Sequence, residues 1–324
     1  VASTSRRGHR AAHTGPGAAS AERMSCGALA TLSFGLLAVV LAVFLGVPSA
    51  VPDSETVTTA VAAGFWGVPS AVHQFCEPKY ASSQYVAEFY NCISSLLYVV
   101  VAAYALSHRE LRRDPMMLLS AALVALIGLG SAAFHGTMLF EYELCDEVPM
   151  LLFITVALCN KMGAHAWLIR PASCVAFATA VVAATSALIY AYIKSGEYEL
   201  FVAGFTMLVV VDTALALSWR SSQPVTSFAR NLSIGCIVLG KTAWEVEVRG
   251  CAMSGRVWSL HVCWHVLSAA SLYYGLLADL AARIDCGVSG ACQSVEAVPL
   301  CWAGVPYSEV RVVHARPNRK GKLS

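Results

Sequence analysis

The 324 residues are 57% hydrophobic and 13% charged, with a mean hydropathy of +0.62. About a quarter of the residues in an ordinary soluble domain carry charge, so this balance excludes water as the main solvent. The net charge of +2, from 22 Lys and Arg against 20 Asp and Glu, points to no strongly charged partner.

Apolar runs of about 18 to 25 residues, each long enough to cross a hydrocarbon core of about 30 Å, recur along the chain. They predict an all-α membrane protein: a seven-transmembrane-helix bundle plus one N-terminal hydrophobic segment. Residues 1–27 form a basic, Gly-, Ala- and Ser-rich stretch expected to be disordered. The segment 28–50 holds the first apolar run. It reads equally as an extra anchor helix or as a signal peptide, with Met24 as the start and Val47 to Ala50 as a small-residue cleavage site. Either way 51–87 is a loop on the luminal side.

The seven-helix domain covers 88–282, with spans predicted at 88–107, 116–135, 146–158, 173–193, 200–219, 229–244 and 260–281. The third has the shortest clean apolar run and must borrow 159–166 to cross. The remainder, 283–324, is a tail ending in Arg316, Arg319, Lys320 and Lys322. That cluster reads as solvated charge near anionic headgroups rather than as a nucleic-acid patch. The sequence contains no phosphate-cradling glycine loop and no internal repeat.

Short basic loops stay on the cytoplasmic side. With the N-terminus inside, that side collects Arg6, Arg7, Arg10 and Arg23; Arg109, Arg112 and Arg113; Lys161 and Arg170; Arg220 and Arg230; and the basic residues of the tail. The other side keeps Lys79, Lys194, Arg249 and Arg256, with Lys241 near a helix end. Both termini are therefore expected in the cytoplasm.

Ionisable side chains in spanning helices are costly and tend to face functional cavities, and this topology brings several to the luminal level. Glu88 opens the first bundle helix; Ser131 and His135 close the second; Asp146 opens the third; Trp244 and Glu245 close the sixth; His261 and His265 open the seventh. His261 and His265 share a helix face one turn apart, a spacing that suits two ligands of one zinc but is more often structural. His135, from a helix ending at the same level, completes a three-histidine set with an open fourth position, the layout of catalytic zinc. Ser131 lies on the face of His135 and reads equally as a packing residue of the patch Gly128, Gly130, Ser131. Asp146 reads also as a helix N-cap, with Glu147 and Pro149 as further helix-start residues.

Several stretches carry a family resemblance: Trp66-Gly67, Cys76-Glu77, Tyr85 to Asn91, Gly128 to His135, Tyr142 through Asp146-Glu147 to Pro149-Met150, and His261 through Trp264-His265. In order, spacing and topology they resemble the alkaline ceramidases, within a wider superfamily of seven-helix membrane hydrolases. The resemblance implies hydrolysis of ceramide to a sphingoid base and a fatty acid at an intramembrane zinc. It implies that His135, His261 and His265 hold the zinc, that Ser131 assists the oxyanion, and that Asp146 manages protons. It also supports a disulfide between Cys76 and Cys251, which both fall in luminal loops where oxidation is allowed.

The family further implies a calcium site built from the loop before the first bundle helix and the start of that helix. Glu77 and Glu88 match it, but Gln74, Phe75 and Lys79 stand where family members offer Asp, Trp and Asn. An ammonium in place of an oxygen ligand argues against calcium. Lys79 is expected to pair with Glu77 or Glu88 and stand in for the ion.

Two rival readings share these features. One is a related lipid-remodelling hydrolase, acting on glycosylphosphatidylinositol anchors or another lipid; the other is a non-catalytic seven-helix membrane receptor or channel that retains zinc structurally. The loop from Trp66 to Asn91 favours the ceramidases over the first, and an open metal position beside Ser131 and Asp146 speaks against the second. The expected partners are ceramide or a related sphingolipid and membrane lipid, with no nucleic acid and no protein partner indicated. The expected setting is the endoplasmic reticulum or Golgi membrane, with the site toward the lumen.

Overall fold

A computed structural model describes residues 64–161, 171–218, 224–251, 259–285, 294–302 and 305–313. The expectations for 1–27 and 28–50, and for the basic cluster from Arg316 onward, lie outside the described residues.

Among these residues, seven helices of 19 to 27 residues and one short helix follow one another: α1 (Phe89–Ser107), α2 (Arg109–Arg113), α3 (Pro115–Thr137), α4 (Phe140–Asn160), α5 (Pro171–Ser195), α6 (Tyr198–Ser218), α7 (Pro224–Gly250) and α8 (Ser259–Asp285). Local chemistry sets the boundaries. The Asp114 side chain accepts from the amides of Met116 (3.0 Å) and Met117 (3.3 Å) ahead of α3, and Pro115 fills the first helical position, where no amide donor is needed. The same carboxylate takes Arg283 of α8 (Nε–Oδ2, 2.6 Å), so one side chain caps one helix and moors another. Met138, with φ 57°, ends α3 in the left-handed conformation.

α7 packs along α8, α8 against α1, α1 against α3 and α3 against α4, with α5 and α6 lying on α4. Five of the helices, α1, α3, α5, α6 and α8, are long and apolar enough to cross a membrane. Their outward surface is apolar as well: Val100, Leu126, Leu129, Val210 and Val266 are exposed, as lipid contact requires. α4 and α7 are as long but carry more charge, Glu141, Glu143, Asp146 and Glu147 in one, Arg230, Lys241, Glu245, Glu247 and Arg249 in the other.

Those charges account for two corrections. α4 starts at Phe140, so Asp146 lies nearly two turns inside it and is not an N-cap; Leu139 holds that position, and Glu147 and Pro149 are interior too. α7 continues to Gly250, well beyond the boundary at 244 that its hydropathy suggests. In both helices acidic residues that find buried partners read in the sequence as the end of an apolar run. A third difference lies in the tail, where β1 (Ser294–Trp302) and β2 (Val305–Val313) pair antiparallel, from Ser294 opposite Val313 to Trp302 opposite Val305. The all-α expectation had no place for this hairpin.

The small-residue patch on α3 works on two sides. A Cβ at Gly128 would sit within 2.9 Å of Tyr98 and Val99 of α1, and one at Gly130 would overlap the Cys145 carbonyl of α4. Pro149 has no amide proton for the carbonyl four residues earlier, and that carbonyl belongs to Cys145. Gly130 therefore packs on the α4 carbonyl that Pro149 deprives of its usual amide donor. Gly130→Ala should cost about 1–3 kcal/mol by overpacking, read as a lower melting temperature in detergent. Gly136→Ala, where the nearest atom to a Cβ is Cys92 Sγ at 3.9 Å, should leave it nearly unchanged.

Candidate metal centre

The loop 64–88 lies across the ends of α3, α4 and α7, and buried acids fix it there. Glu143 of α4 accepts from the amides of Val72 (2.6 Å) and His73 (2.9 Å), and Glu247 of α7 accepts from that of Cys76 (2.9 Å). Ser70 and Ala71 donate to the Met138 carbonyl, each at 3.1 Å. Cys76 is bonded to Cys251, 175 residues on, with the Cα atoms 5.5 Å apart. The His73 ring stacks on Tyr198 at 4.0 Å, and burial lowers its pKa from 6.5 to about 4, so it stays neutral at physiological pH.

Beneath the loop, His135 of α3 and His261 and His265 of α8 converge. All three are buried, their ring centroids are 4.6 to 5.1 Å apart, and one nitrogen from each falls within 4.8 Å of the others. Their other nitrogens face fixed partners. His135 Nδ1 lies 2.6 Å from Glu88 Oε2; a carboxylate only accepts, so Nδ1 carries the proton and Nε2 presents a lone pair. His265 Nδ1 lies 2.7 Å from Ser94 Oγ, whose own proton goes to the Asn91 carbonyl at 3.0 Å, so this ring also donates from Nδ1. His261 Nδ1 lies 3.1 Å from Glu247 Oε2 without hydrogen-bond geometry, so both atoms stay unbonded.

His135 Nε2, buried, finds no partner in the protein. An orphaned buried acceptor costs about 1–3 kcal/mol. Three imidazoles with one nitrogen each converging, two of them braced through the other nitrogen by Glu88 and Ser94, are the donor set of a borderline metal ion. The group His135, His261, His265 could hold one, and its chemistry fits zinc.

Ser131 and Asp146 line the same small cavity as His261, His265, Phe75 and Trp244. Ser131 Oγ is 3.0 Å from Ser95 Oγ and within hydrogen-bonding reach of Asp146. Glu147, next in sequence, is turned instead toward Tyr192, which donates to it. Phe75 covers the histidines from the loop side, 3.7 Å from His261 between ring centroids.

The residues expected at a calcium site do not converge as cation ligands. Glu77 uses both oxygens to cap α1, accepting from the amides of Tyr90 (2.7 Å) and Asn91 (2.9 Å). Lys79 chooses Glu88: its Nζ donates to Glu88 Oε1, to the Phe75 carbonyl (2.7 Å) and to the Glu77 carbonyl (3.2 Å). An ammonium thus occupies the point where these oxygens gather, and the residues present do not fit calcium.

Sequence reasoning missed Glu247, Ser94 and Glu143, and it placed Glu245 at the site. Glu245 is instead held on the outer surface by Lys241 (2.7 Å) and Arg249 (3.1 Å), each one turn away. Glu247 falls three residues after Trp244 and four before Cys251, on the face of both, a spacing that becomes informative once α7 is known to continue. Ser94→Ala deprives His265 Nδ1 of its acceptor. It is expected to weaken metal affinity by about 10-fold in chelator competition, with the helical circular dichroism unchanged.

The ceramidase family profile matches residues 67–298. An alkaline ceramidase of Saccharomyces cerevisiae is 22% identical over 240 residues, covering 65% of this chain and 76% of the relative. Alkaline ceramidase 3 of Mus musculus is 22% identical over 245 residues, covering 68% and 86%. An alkaline ceramidase of Arabidopsis thaliana is 25% identical over 223 residues, covering 64% and 82%. With most of its helical domain inside the matched region, the chain belongs to the alkaline ceramidase family.

Proposed function

We propose that this chain is a zinc-dependent intramembrane hydrolase that cleaves the amide bond of ceramide to a sphingoid base and a fatty acid. The observation that carries the reading is the buried trio His135, His261 and His265, two of them braced by Glu88 and Ser94, beside Ser131 and Asp146. In this reading all seven long helices cross the membrane. Both termini are cytoplasmic, and the site faces the lumen of the endoplasmic reticulum or Golgi, where Cys76 and Cys251 are oxidised.

Bound at the three histidines, zinc supplies an activated water and a Lewis acid for the amide carbonyl. Glu88 and Ser94 fix the rings of His135 and His265, and Glu247 lies beside that of His261. Asp146 accepts the proton of the attacking water and returns it to the leaving nitrogen, without which the amine would be expelled as an anion. Ser131 donates its hydroxyl to the oxygen on which charge develops, a contribution of about 100-fold in rate. Its hydroxyl is no nucleophile here, because all three histidines are ligands and none is free to act as its base.

Purified protein should hold about one zinc per chain and release fatty acid from ceramide. His265→Ala should lose both properties, while Asp146→Asn should keep the zinc and lose at least about 100-fold in rate. A chain that binds zinc yet cleaves no ceramide at any pH would redirect the search to other lipid substrates and then to a receptor role.

Lys79 supplies the positive charge that a calcium ion would otherwise bring to Glu88. Calcium chelation is therefore expected to leave the melting temperature and the activity of zinc-loaded protein unchanged. Loss of activity on chelation, restored by adding calcium back, would overturn this assignment.

A further inference from the structure

Beyond the metal centre, a cavity runs alongside α8 toward the opposite end of the helices. It shares Tyr98, Met150 and Trp264 with the small cavity lined by Ser131 and Asp146, so the two adjoin at these side chains. On α8 its wall follows Trp264, Ser268, Leu272, Gly275, Asp279 and Ala282, one stripe at helical spacing. Ile127, Phe153, Val209 and Ile237 make up much of the remaining lining. Four of the wall hydroxyls are already engaged, Tyr98 with Ser268 at 2.6 Å and Ser233 with the Ser271 hydroxyl at 3.2 Å and carbonyl at 2.9 Å. A chain with no polar groups is the ligand that suits such a passage.

Its far end differs in kind. Lys161 Nζ, at the end of α4, lies 2.8 Å from Asp212 Oδ1 of α6 and 3.2 Å from Asp279 Oδ1 of α8. Asn160 beside it is 4% exposed, gives its amide nitrogen to Ser120 Oγ at 3.1 Å, and keeps Oδ1 without a partner. An alkyl terminus pressed against this cluster gains no apolar contact and strips polar groups of solvent they need.

We propose that Lys161, Asp212 and Asp279, with Asn160, form a floor that sets the upper length of the acyl chain the enzyme accepts. The assignment rests on the hydrolase reading above. The acyl chain is the occupant because it begins at the carbonyl carbon, the atom that must sit at the histidines. The sphingoid hydroxyls beside the same amide need polar partners, which the loop end offers and the middle of the cavity does not. The rise along α8 from Trp264 to Asp279 is about 22 Å at 1.5 Å per residue. A staggered alkyl chain advances about 1.25 Å per carbon, given C–C bonds of about 1.5 Å. The floor therefore admits chains of about 16 to 18 carbons.

The test is fatty-acid release from ceramides with acyl chains of 8 to about 26 carbons on one base, and with bases of varied length on one acyl chain. Wild type should fall about 10-fold or more beyond about 18 acyl carbons. Replacing the floor by apolar residues together, Lys161→Met with Asp212→Leu and Asp279→Leu, avoids a lone buried charge and should move the limit upward. Ile234→Trp fills the cavity near the level of Ser271, half-way down, and should move the limit to about 8 to 10 carbons; it tests the passage even if the triple variant fails to fold. A limit that stays in place in both variants overturns the proposal. So does a uniform loss at every length with a lower melting temperature, the mark of a purely structural clasp, and so does a limit that follows the base instead of the acyl chain. If wild type cleaves no ceramide, it is the hydrolase reading that fails. Displacement of a fluorescent fatty acid by fatty acids of graded length then tests the floor alone, with the same upward and downward shifts expected.

Discussion

A buried carboxylate, Glu88, is the junction on which the loop end of the molecule depends. It is fully buried, and it is satisfied from three directions: Lys79 from the loop, Asn91 Nδ2 from α1 at 3.0 Å, and His135 Nδ1 from α3 at 2.6 Å. Its own amide donates to the His135 carbonyl at 2.8 Å, so the two residues are joined through main chain and side chain alike. An ionised carboxylate at this depth is tolerable only because each of these partners is in place. Removing one of them leaves a charge that no solvent reaches, which makes the loop, the start of α1 and the end of α3 interdependent.

The same rule governs both ends of the helices. At the loop end, Glu143, Glu247 and Glu77 take backbone amides of the loop and of the first turn of α1, groups that would otherwise be orphans. At the far end, Lys161, Asp212 and Asp279 satisfy one another across three helices. Between them the side chains are apolar or are hydroxyls paired locally. Along this cavity charge gathers at two levels with a mainly apolar wall between them, an arrangement that suits a substrate that is largely apolar.

Hydropathy made most of the fold legible, because a span of apolar residues needs no tertiary information to be recognised. The three histidines were legible for a related reason: in apolar helices of known parity, an ionisable residue has few places to go. What escaped the sequence was partnership. Glu141 and Glu143 raise the polarity of the start of α4, and nothing in the sequence says that Glu143 is bonded to amides some 70 residues away. The start of that helix was therefore placed too late and Asp146 was read as its cap. Glu245 and Glu247 are equivalent by composition, and only the rotation of α7 separates the half-buried one from the fully buried one. Lys79 had two acids within reach, and Glu77 was removed from the choice by the unbonded amides of α1. Gly130 gave no sign that it sits on the carbonyl freed by Pro149, since the two belong to different helices.

None of the three histidines is oriented by the helix that carries it. His135 is set by Glu88, at the start of α1, and His265 by Ser94, within α1; His261 lies against Glu247 of α7, whose other oxygen holds the loop at Cys76, in the disulfide. The geometry of the donor set is thus a property of the assembled bundle, and it cannot exist in a partly docked chain. By linkage the converse holds. An ion that binds only the assembled set stabilises the packing of α3 and α8 against α1 and the seating of the loop. Metal affinity and the integrity of the loop end are one equilibrium seen from two sides, and a substitution that loosens the loop weakens the ion even when it touches no ligand.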